Sequence, residues 1–390
     1  MKPLTSDMQL KRVEIHGYKS IEHCDLELGA INVLLGVNGA GKSNFISFFK
    51  LVKAIFDNKL REFVLQNGRA NALLHYGSQF TSQIESRLYF GAYNYEFVLR
   101  PTMDENLFII ERCYKIGIPY PLHDGQSVES SANLWKDNNY WAIDKKNNLV
   151  LKETALHLTN AINGYQIYHN YDTSENSFLI RSNPINDNLY LRPDGSNLAA
   201  FLYLVQQTQP NIISQITQTI SLAMPFFGGF ILRPNPINPQ IIDLEWFENN
   251  KDQPLPAYKL SDSMLRFIFL ATVLMQPDKY LPNIIIIDEP ELGLHPYAIN
   301  ILGSLIRMVS HKTQIILTTH SVELINEFET EDIIIVDRAI DGNNYGKSTF
   351  IRLNNYNLTN LLNSYSLGEL WAKNLLPIVS NRQTMLENNK

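Results

Sequence analysis

The stretch Gly36-Val-Asn-Gly-Ala-Gly-Lys-Ser43 decides the fold class, because it fits the pattern G-x-x-x-x-G-K-[ST] of loops that wrap phosphates. An apolar run over 31–35 precedes it, and a helical pattern follows from Lys42 to about Phe56. The glycines let successive backbone N–H groups point at phosphate oxygens, and the helix adds the positive end of its dipole. We therefore expect Lys42 to reach the β- and γ-phosphates of a nucleotide and Ser43 to bind Mg²⁺.

A second stretch, Ile284-Ile-Ile-Ile-Asp-Glu-Pro290, is an apolar strand that ends in two adjacent carboxylates. A carboxylate in the position of Asp288 either pairs with a cation or costs several kcal/mol to desolvate. The Mg²⁺ of a bound nucleotide is the expected cation. Glu289 faces the other way, since neighbours in a strand alternate. We expect Glu289 to orient and deprotonate the attacking water. The alternative is a surface or capping glutamate before the next helix.

Two further polar positions are candidates for phosphate contacts. His320 follows the predicted strand 314–319 and carries a donor that suits a γ-phosphate, although a lone histidine is more often structural. Ser261 begins a predicted helix, and its hydroxyl with the exposed N–H groups would suit an anion. Any N-capped helix looks the same, so the residues alone leave the role of Ser261 open.

The order of predicted elements indicates where these residues meet. Residues 85–115 read as antiparallel strands, and 117–148 as a polar, elaborated loop. From Lys259 strands and helices alternate, which implies a parallel sheet with ligands at the C-terminal edges of its strands. We expect the glycine loop, Asp288 and His320 at that edge, in one site built from both ends of the chain.

Composition narrows the class of protein. The 390 residues favour two lobes, and 45% hydrophobic with 18% charged residues indicates a folded soluble protein. The net charge of −6 excludes a globally basic nucleic-acid binder but leaves room for a local patch, with Lys2, Lys11, Arg12 and Lys19 as candidates or as ordinary surface. Two cysteines exclude a disulfide framework. Without a signal peptide or a membrane-length apolar run, we expect a cytoplasmic protein with no membrane partner.

Taken together, the motifs resemble an ABC-type ATPase head: the 36–43 loop (Walker A), an LS-type signature at 260–266, the 284–289 strand (Walker B), the loop 291–296 and the switch histidine His320. The segments 15–21 and 38–44 are similar to the RecF, SMC and OLD (overcoming-lysogenization-defect) branch. Three more segments resemble a bacterial group of OLD-like ATPases often found in antiphage defence operons: 168–174, 191–201 and 365–371.

The resemblance implies an α/β fold: a P-loop NTPase of the ABC-ATPase head type with a mixed central sheet, an antiparallel β subdomain and a helical insertion. ATP and Mg²⁺ are the implied cofactors, and Lys42, Glu289 and His320 the implied catalytic residues. Mg²⁺ would be bound by Ser43 and Asp288. The implied nucleotide contacts are Gly36, Asn38, Gly39, Ala40, Gly41, Lys42, Ser43, Asn44 and, from the second subunit of a homodimer, Ser261. The loop 291–296 would lie at the dimer seam.

The chain departs from the family pattern at two places. Ser263 replaces the signature glycine, which predicts slow hydrolysis or an altered closed dimer, and the Q-loop glutamine is weakly matched by Gln166. OLD nucleases carry a C-terminal TOPRIM domain with clustered acidic residues, and no such cluster follows Asp337. Any cutting or toxic activity is therefore expected from a partner effector.

We expect 1–115 to form the N-terminal half of the head, 116–255 an inserted loop and helical subdomain, 256–354 the C-terminal half, and 355–390 a helical tail. The leading hypothesis is a dimeric ATPase switch that senses DNA or phage components and controls a nuclease or toxin. A RecF- or SMC-like ATPase of DNA repair or chromosome maintenance, acting directly on DNA, is the first alternative. An ATP-bound scaffold with little turnover is the second, and a transporter ATPase is less favoured.

Overall fold

The computed structural model of the protein describes residues 8–127, 147–168, 178–251, 253–341, 344–353 and 358–376. Lys2 of the basic cluster, most of the predicted polar loop (128–146), the motif residues 169–174 and the end of the tail (377–390) lie outside the described residues. The chain packs into two compact units, each described by itself below. The glycine-loop unit draws on Leu4–Tyr165, Thr330–Tyr365 and Leu370–Lys390, and the acidic-strand unit on Gln166–Glu329 and Ser366–Glu369.

The strands are numbered in chain order: β1 (Arg12–Tyr18), β2 (Ile21–Glu27), β3 (Ile31–Leu35), β4 (Ile84–Phe90), β5 (Tyr93–Pro101), β6 (Leu107–Lys115), β7 (Ile118–Ser127), β8 (Tyr165–Tyr168), β9 (Asn183–Pro184), β10 (Phe227–Ile231), β11 (Ile241–Ile242), β12 (Glu245–Glu248), β13 (Leu255–Pro256), β14 (Ile284–Asp288), β15 (Gln314–Thr319), β16 (Ile333–Asp341) and β17 (Asn344–Arg352). The α-helices are α1 (Lys42–Phe56), α2 (Leu60–Gln66), α3 (Arg69–Leu73), α4 (Asn147–Asn163), α5 (Leu198–Thr208), α6 (Pro210–Ala223), α7 (Asp262–Met275), α8 (Pro296–Val309), α9 (Val322–Ile325), α10 (Thr359–Leu362) and α11 (Leu367–Ala372).

An antiparallel sheet in the order β2-β1-β4-β5-β6-β7 confirms the strands predicted over 85–115. Burial alternates along β4, so one face of the sheet is apolar. Helix α1 packs on that face, where Phe48 stacks on Phe97 with ring centroids 6.2 Å apart and Phe56 meets Tyr95 at 4.9 Å. Each such ring stabilises the fold by roughly 1.5–3 kcal/mol through burial. The packing fixes the helix that begins directly after the glycine loop.

In this unit one prediction is wrong and one strand was not predicted. The region from 117 begins with strand β7 instead of a loop, and its prolines concealed the strand because Pro is normally excluded from sheet interiors. β7 is an edge strand that pairs with β6, the position in which Pro is tolerated. The polar strand β17 was also not predicted. It pairs with β16, whose register aligns Asp337 with Thr349.

Buried strands deliver the site residues in both units. In the glycine-loop unit, β3 is buried along its whole length and pairs parallel with β16, while β16 and β17 are antiparallel, so this part of the sheet is mixed as predicted. In the acidic-strand unit, β14 and β15 pair parallel, also as predicted, with Asp288 opposite Thr318. A parallel pair places the carboxyl ends of both strands at one edge.

The helices of the acidic-strand unit bury an apolar face. Helix α8 buries Ala298, Ile299, Leu302, Leu305 and Ile306 at the three- and four-residue spacing of one helical face. Helix α9 is a single short turn of four residues, ending at Ile325. Along the described ranges, no helix combines the length and hydrophobicity needed to cross a bilayer.

Candidate functional site

The glycine loop joins β3 to α1 in a conformation that two of its glycines require. A Cβ at Gly36 would lie 2.1 Å from the carbonyl oxygen of Val336, so no side chain fits there. Gly41 has φ of +121°, which L side chains rarely adopt, and forms the N-cap of α1 without a side-chain capping bond. The N-terminal amides of α1 therefore carry no side-chain cap, and such amides bind anions.

Lys42 is buried, and its Nζ donates to the carbonyl oxygens of Gly36, at 2.8 Å, and Val37, at 3.3 Å. The ammonium thus lies inside the curve of the loop, within reach of anything that the loop wraps. Ser43, Asn38 and Gly39 are exposed. The predicted phosphate-binding residues of 36–44 lie along the loop and the first turn of α1.

Two of the predicted nucleotide contacts also bond away from the loop surface. The Nδ2 of Asn44 donates to the Oγ of Ser20 at 2.7 Å, and the carbonyl oxygen of Ala40 accepts a bond from the Oγ of Ser348 at 2.6 Å. Ser20 and Ser348 are buried. These partners brace the loop from behind, and sequence reasoning missed both of them.

The acidic strand end is organised by the neighbouring strand. The Oγ1 of Thr318 donates to the carboxylate of Asp288 and accepts a bond from the backbone N–H of Glu289 at 3.0 Å. Glu289 has φ of 46°, in the left-handed region that non-glycine residues seldom occupy. This turn ends the strand, and such strain is typical of functional positions.

Glu289 and His320 lie next to each other. The Nε2 of His320 is 3.5 Å from the Oε1 of Glu289, with side-chain exposures of 31% and 36% respectively. The pair becomes ionic when the imidazole is protonated. Both side chains are accessible enough to meet a water molecule or a phosphate, and the structure brings these two predicted catalytic residues together within one unit.

Glu291 is a site residue that sequence reasoning treated only as part of the predicted seam loop. Its Oε1 accepts bonds from the Oγ1 of Thr319, at 2.6 Å, and from the backbone N–H of His320, at 3.0 Å. Its Oε2 is buried without a hydrogen-bond partner. Burial raises the pKa of Glu291 above 4.5, against the opposing effect of the bonds from Thr319 and His320. The sequence signal that could have indicated Glu291 is its position as the third acidic residue of Asp-Glu-Pro-Glu.

Ser261 caps helix α7, which agrees with its interpretation as an ordinary N-cap residue. Its Oγ accepts a bond from the N–H of Met264 at 3.4 Å and lies 3.0 Å from the Oγ of Ser263. Ser261 is exposed at the start of the helix. The residue that departs from the family pattern, Ser263, therefore contacts the serine whose role the resemblance implies.

Each of the two predicted metal ligands has the chemistry that Mg²⁺ prefers. Ser43 in α1 and Asp288 at the end of β14 each offer a hard oxygen ligand, and Mg²⁺ usually takes one or two protein ligands with substrate phosphates and waters. Within the described ranges, no group of three or more His, Cys, Asp or Glu side chains is arranged to hold a metal by itself.

The model of the family described as "AAA domain, putative AbiEii toxin, Type IV TA system" matches residues 31–326 of the chain. The chain belongs to that family. A Geobacter sulfurreducens protein named as a putative ABC transporter ATP-binding protein is 34% identical over 80 residues. This match spans 20% of the chain and 30% of the length of that relative.

Two solved structures share the fold. An Smc head bound to the C-terminal winged-helix domain of ScpA has a TM-score of 0.53 at 16% identity, covering 89% of this chain and 98% of that one. A Pyrococcus furiosus Smc head with an extended coiled coil, bound to the C-terminal domain of ScpA, has a TM-score of 0.52 at 14% identity, covering 91% and 98%. The fold is that of an SMC-head-like ABC-type P-loop NTPase, which confirms the predicted fold class.

Proposed function

We propose that this family member binds ATP with Mg²⁺ and hydrolyses it. The observation that carries the proposal is the glycine loop, in which an α1 N-terminus without a side-chain cap and the buried Lys42 ammonium both face the curve of the loop. Positive charge and inward N–H groups at one place are what a triphosphate requires. Anion recognition at this loop is the first step of the proposed reaction.

In this proposal, each side chain has a separate role in hydrolysis. Lys42 offsets negative charge on the β- and γ-phosphates. Glu289 accepts the proton of the attacking water, and His320, 3.5 Å away, orients that carboxylate and contacts the γ-phosphate. Ser43 and Asp288 would hold Mg²⁺, which neutralises charge on the phosphate oxygens when bound. Thr318 orients Asp288 through its hydroxyl bond.

We infer that two copies close around two nucleotides, with Ser261 of each copy meeting the γ-phosphate held by the other. Ser261 is exposed at the N-terminus of the 14-residue helix α7. Leu292 in the predicted seam loop and Tyr297 directly after it are each 55% exposed, and apolar exposure of this kind suits a surface that is covered in the working state. ATP-driven closure would be the two-state element of a switch.

We further propose that this switch controls a separate effector, a nuclease or toxin, in the cytoplasm as part of antiphage defence. The family description names a type IV toxin–antitoxin system, which supports a partnered toxic activity. The Smc heads of the same fold are bound to a domain of ScpA, so a partner protein docked on a head of this kind has a precedent.

A second candidate is an ATPase of the RecF or SMC kind that acts directly on DNA in repair or chromosome maintenance. The likeness in fold to Smc heads favours it. Binding of DNA by the isolated protein, falling steeply as salt rises, would separate it from the effector switch. A scaffold that binds ATP with little turnover is a third candidate, supported by Ser263 beside Ser261.

The direct test measures binding of a fluorescent ATP analogue and release of phosphate by wild type, Lys42→Ala and the control Lys59→Ala. Lys59 is exposed, and its side chain makes no capping bond at the start of α2. Its replacement therefore removes the same charge at a position outside the proposed site. We expect Lys42→Ala to lose both activities and Lys59→Ala to retain them. Equal binding by all three proteins would reject the proposed site. If the wild-type protein binds ATP but releases no phosphate, either with or without DNA, the scaffold is the candidate function that remains.

A further inference from the structure

A row of hydrogen-bonding side chains lies behind the glycine loop and links three separate parts of the chain. Asn44 in the first turn of α1 donates to the Oγ of Ser20, in the turn between β1 and β2. The Oγ atoms of Ser20 and Ser348 are 2.7 Å apart, and Ser348 Oγ is 2.6 Å from the carbonyl oxygen of Ala40. The backbone N–H of Ser348 also donates to the carbonyl oxygen of Ser20 at 2.9 Å, which ties β17 to the turn.

The Ser348 hydroxyl is the donor that joins this row to the loop. The carbonyl oxygen of Ala40 can only accept, and the one hydroxyl proton of Ser348 is shared between that oxygen and the Oγ of Ser20. The Oγ of Ser20 also accepts a bond from Asn44. Ser348 and Asn44 therefore meet at Ser20, and Ser348 holds the Ala40 carbonyl.

The last bond of the row sets the orientation of a peptide group in the loop. In a trans peptide the C=O and the N–H point to opposite sides, so holding the Ala40 carbonyl toward Ser348 turns the N–H of Gly41 away from Ser348. The side-chain space at Gly41 is taken by the same hydroxyls. A Cβ there would lie 2.1 Å from Ser348 Oγ and 3.1 Å from Ser20 Oγ. The Ser348 hydroxyl thus occupies the space that a side chain at position 41 would need.

We propose that Ser348, supported by Ser20, is a positioning residue for phosphate binding, because it aims the Gly41 N–H at the phosphates of the nucleotide. The inference rests on the proposed ATP site and adds a strand from the far end of the chain to it. In the same arrangement, Asn44 supports the loop through its bond to Ser20, in addition to any direct contact with the nucleotide.

The test compares Ser348→Ala with Ser86→Ala as a matched control. Ser86 in β4 is buried like Ser348, at 3% against 2% exposure, and its Oγ donates to the carbonyl oxygen of Glu14 at 2.7 Å. Each substitution therefore removes one buried hydroxyl bond to a main-chain carbonyl, and Ser348→Ala also removes the contact with Ser20. Binding of a fluorescent ATP analogue, its displacement by inorganic tripolyphosphate, and the melting temperature without ligand are measured for wild type and both variants.

We expect Ser348→Ala to weaken both ATP and tripolyphosphate binding about five- to tenfold, the loss of one hydrogen bond, while Ser86→Ala leaves both unchanged. The two variants should melt at similar temperatures. Ser20→Ala should weaken binding less, because the bond to Ala40 remains. Affinity of Ser348→Ala equal to wild type, or an equal loss in Ser86→Ala, would overturn the positioning role. A wild type that binds no ATP would remove the proposed function and this inference together.

Discussion

The glycine loop and the acidic strand end are held in place by different kinds of contact. In the loop, the main chain itself is held, since Gly36 passes against the carbonyl oxygen of Val336 and the carbonyl of Ala40 accepts a bond from the Ser348 hydroxyl. At the strand end, side chains of the neighbouring strand hold the carboxylates, as Thr318 does for Asp288 and Thr319 for Glu291. Gly36 and Gly41 should therefore tolerate no added side chain, whereas the strand end should accept substitutions that keep a hydrogen-bond acceptor.

The largest expected effect separates two glycines of the loop. Gly36→Ala forces a methyl group against the Val336 carbonyl, so we expect a loss of roughly 1–3 kcal/mol in stability and of ATP binding, measured by thermal melting and analogue titration. Gly39→Ala is the matched control, because nothing lies within 4 Å of its Cβ position and only its φ of +80° is strained. Equal effects of the two changes would contradict the close-contact account of the loop.

The next effect concerns the proposed general base. Glu289→Gln removes the proton acceptor while keeping the side-chain shape, so we expect phosphate release to fall by about 10²–10⁴ with ATP binding retained. Light scattering after gel filtration should show an ATP-bound dimer for this variant. Glu105→Gln, on an exposed turn, serves as the control. A variant that stays monomeric with ATP would argue against the proposed sandwich.

At Glu291 the acceptor should matter more than the charge. Glu291→Leu leaves the Thr319 hydroxyl and the His320 N–H without a partner, at a cost of about 1–3 kcal/mol, and should lower phosphate release. Glu291→Gln keeps an acceptor oxygen and should preserve most of the activity. Identical losses in both variants would show that the negative charge is what the site needs.

The same residue gives a pH dependence. Because the folded-state pKa of Glu291 is raised, its protonated form favours the fold, and stability falls as pH rises from the unfolded value near 4.5 through the folded pKa. The stability of Glu291→Gln relative to wild type should therefore increase over that range in chemical denaturation. A difference that stays constant with pH would contradict a buried, pKa-shifted carboxyl.

The smallest expected effect tests the unusual signature. Ser263→Gly removes the hydroxyl that lies 3.0 Å from Ser261 Oγ and restores the family glycine. We expect phosphate release to rise a few-fold, with a loss of at most about 1 kcal/mol from glycine in the first turn of α7. Unchanged turnover would show that Ser263 does not limit hydrolysis.

The sequence predicted the fold class and the loop because both depend on local patterns. A phosphate loop needs glycines at set spacing, and parallel strands such as β14 are continuous apolar runs. It missed β7 and β17, whose prolines and polar residues hide strands that are completed by pairing with β6 and β16. It also missed Ser20 and Ser348, since a brace made by residues distant in the chain has no local signature. The assignment of 1–115, 116–255, 256–354 and 355–390 to functional segments stays a prediction.

The central proposal is that both the glycine loop and the acidic strand end bind one nucleotide with its metal. The most direct test replaces Mg²⁺ by Fe²⁺ and, with ascorbate and peroxide, maps backbone cleavage around the bound metal by mass spectrometry. Our account predicts ATP-dependent cuts near both Ser43 and Asp288, lost in Lys42→Ala. Cleavage at only one of the two segments, or cleavage that does not depend on ATP, would contradict it.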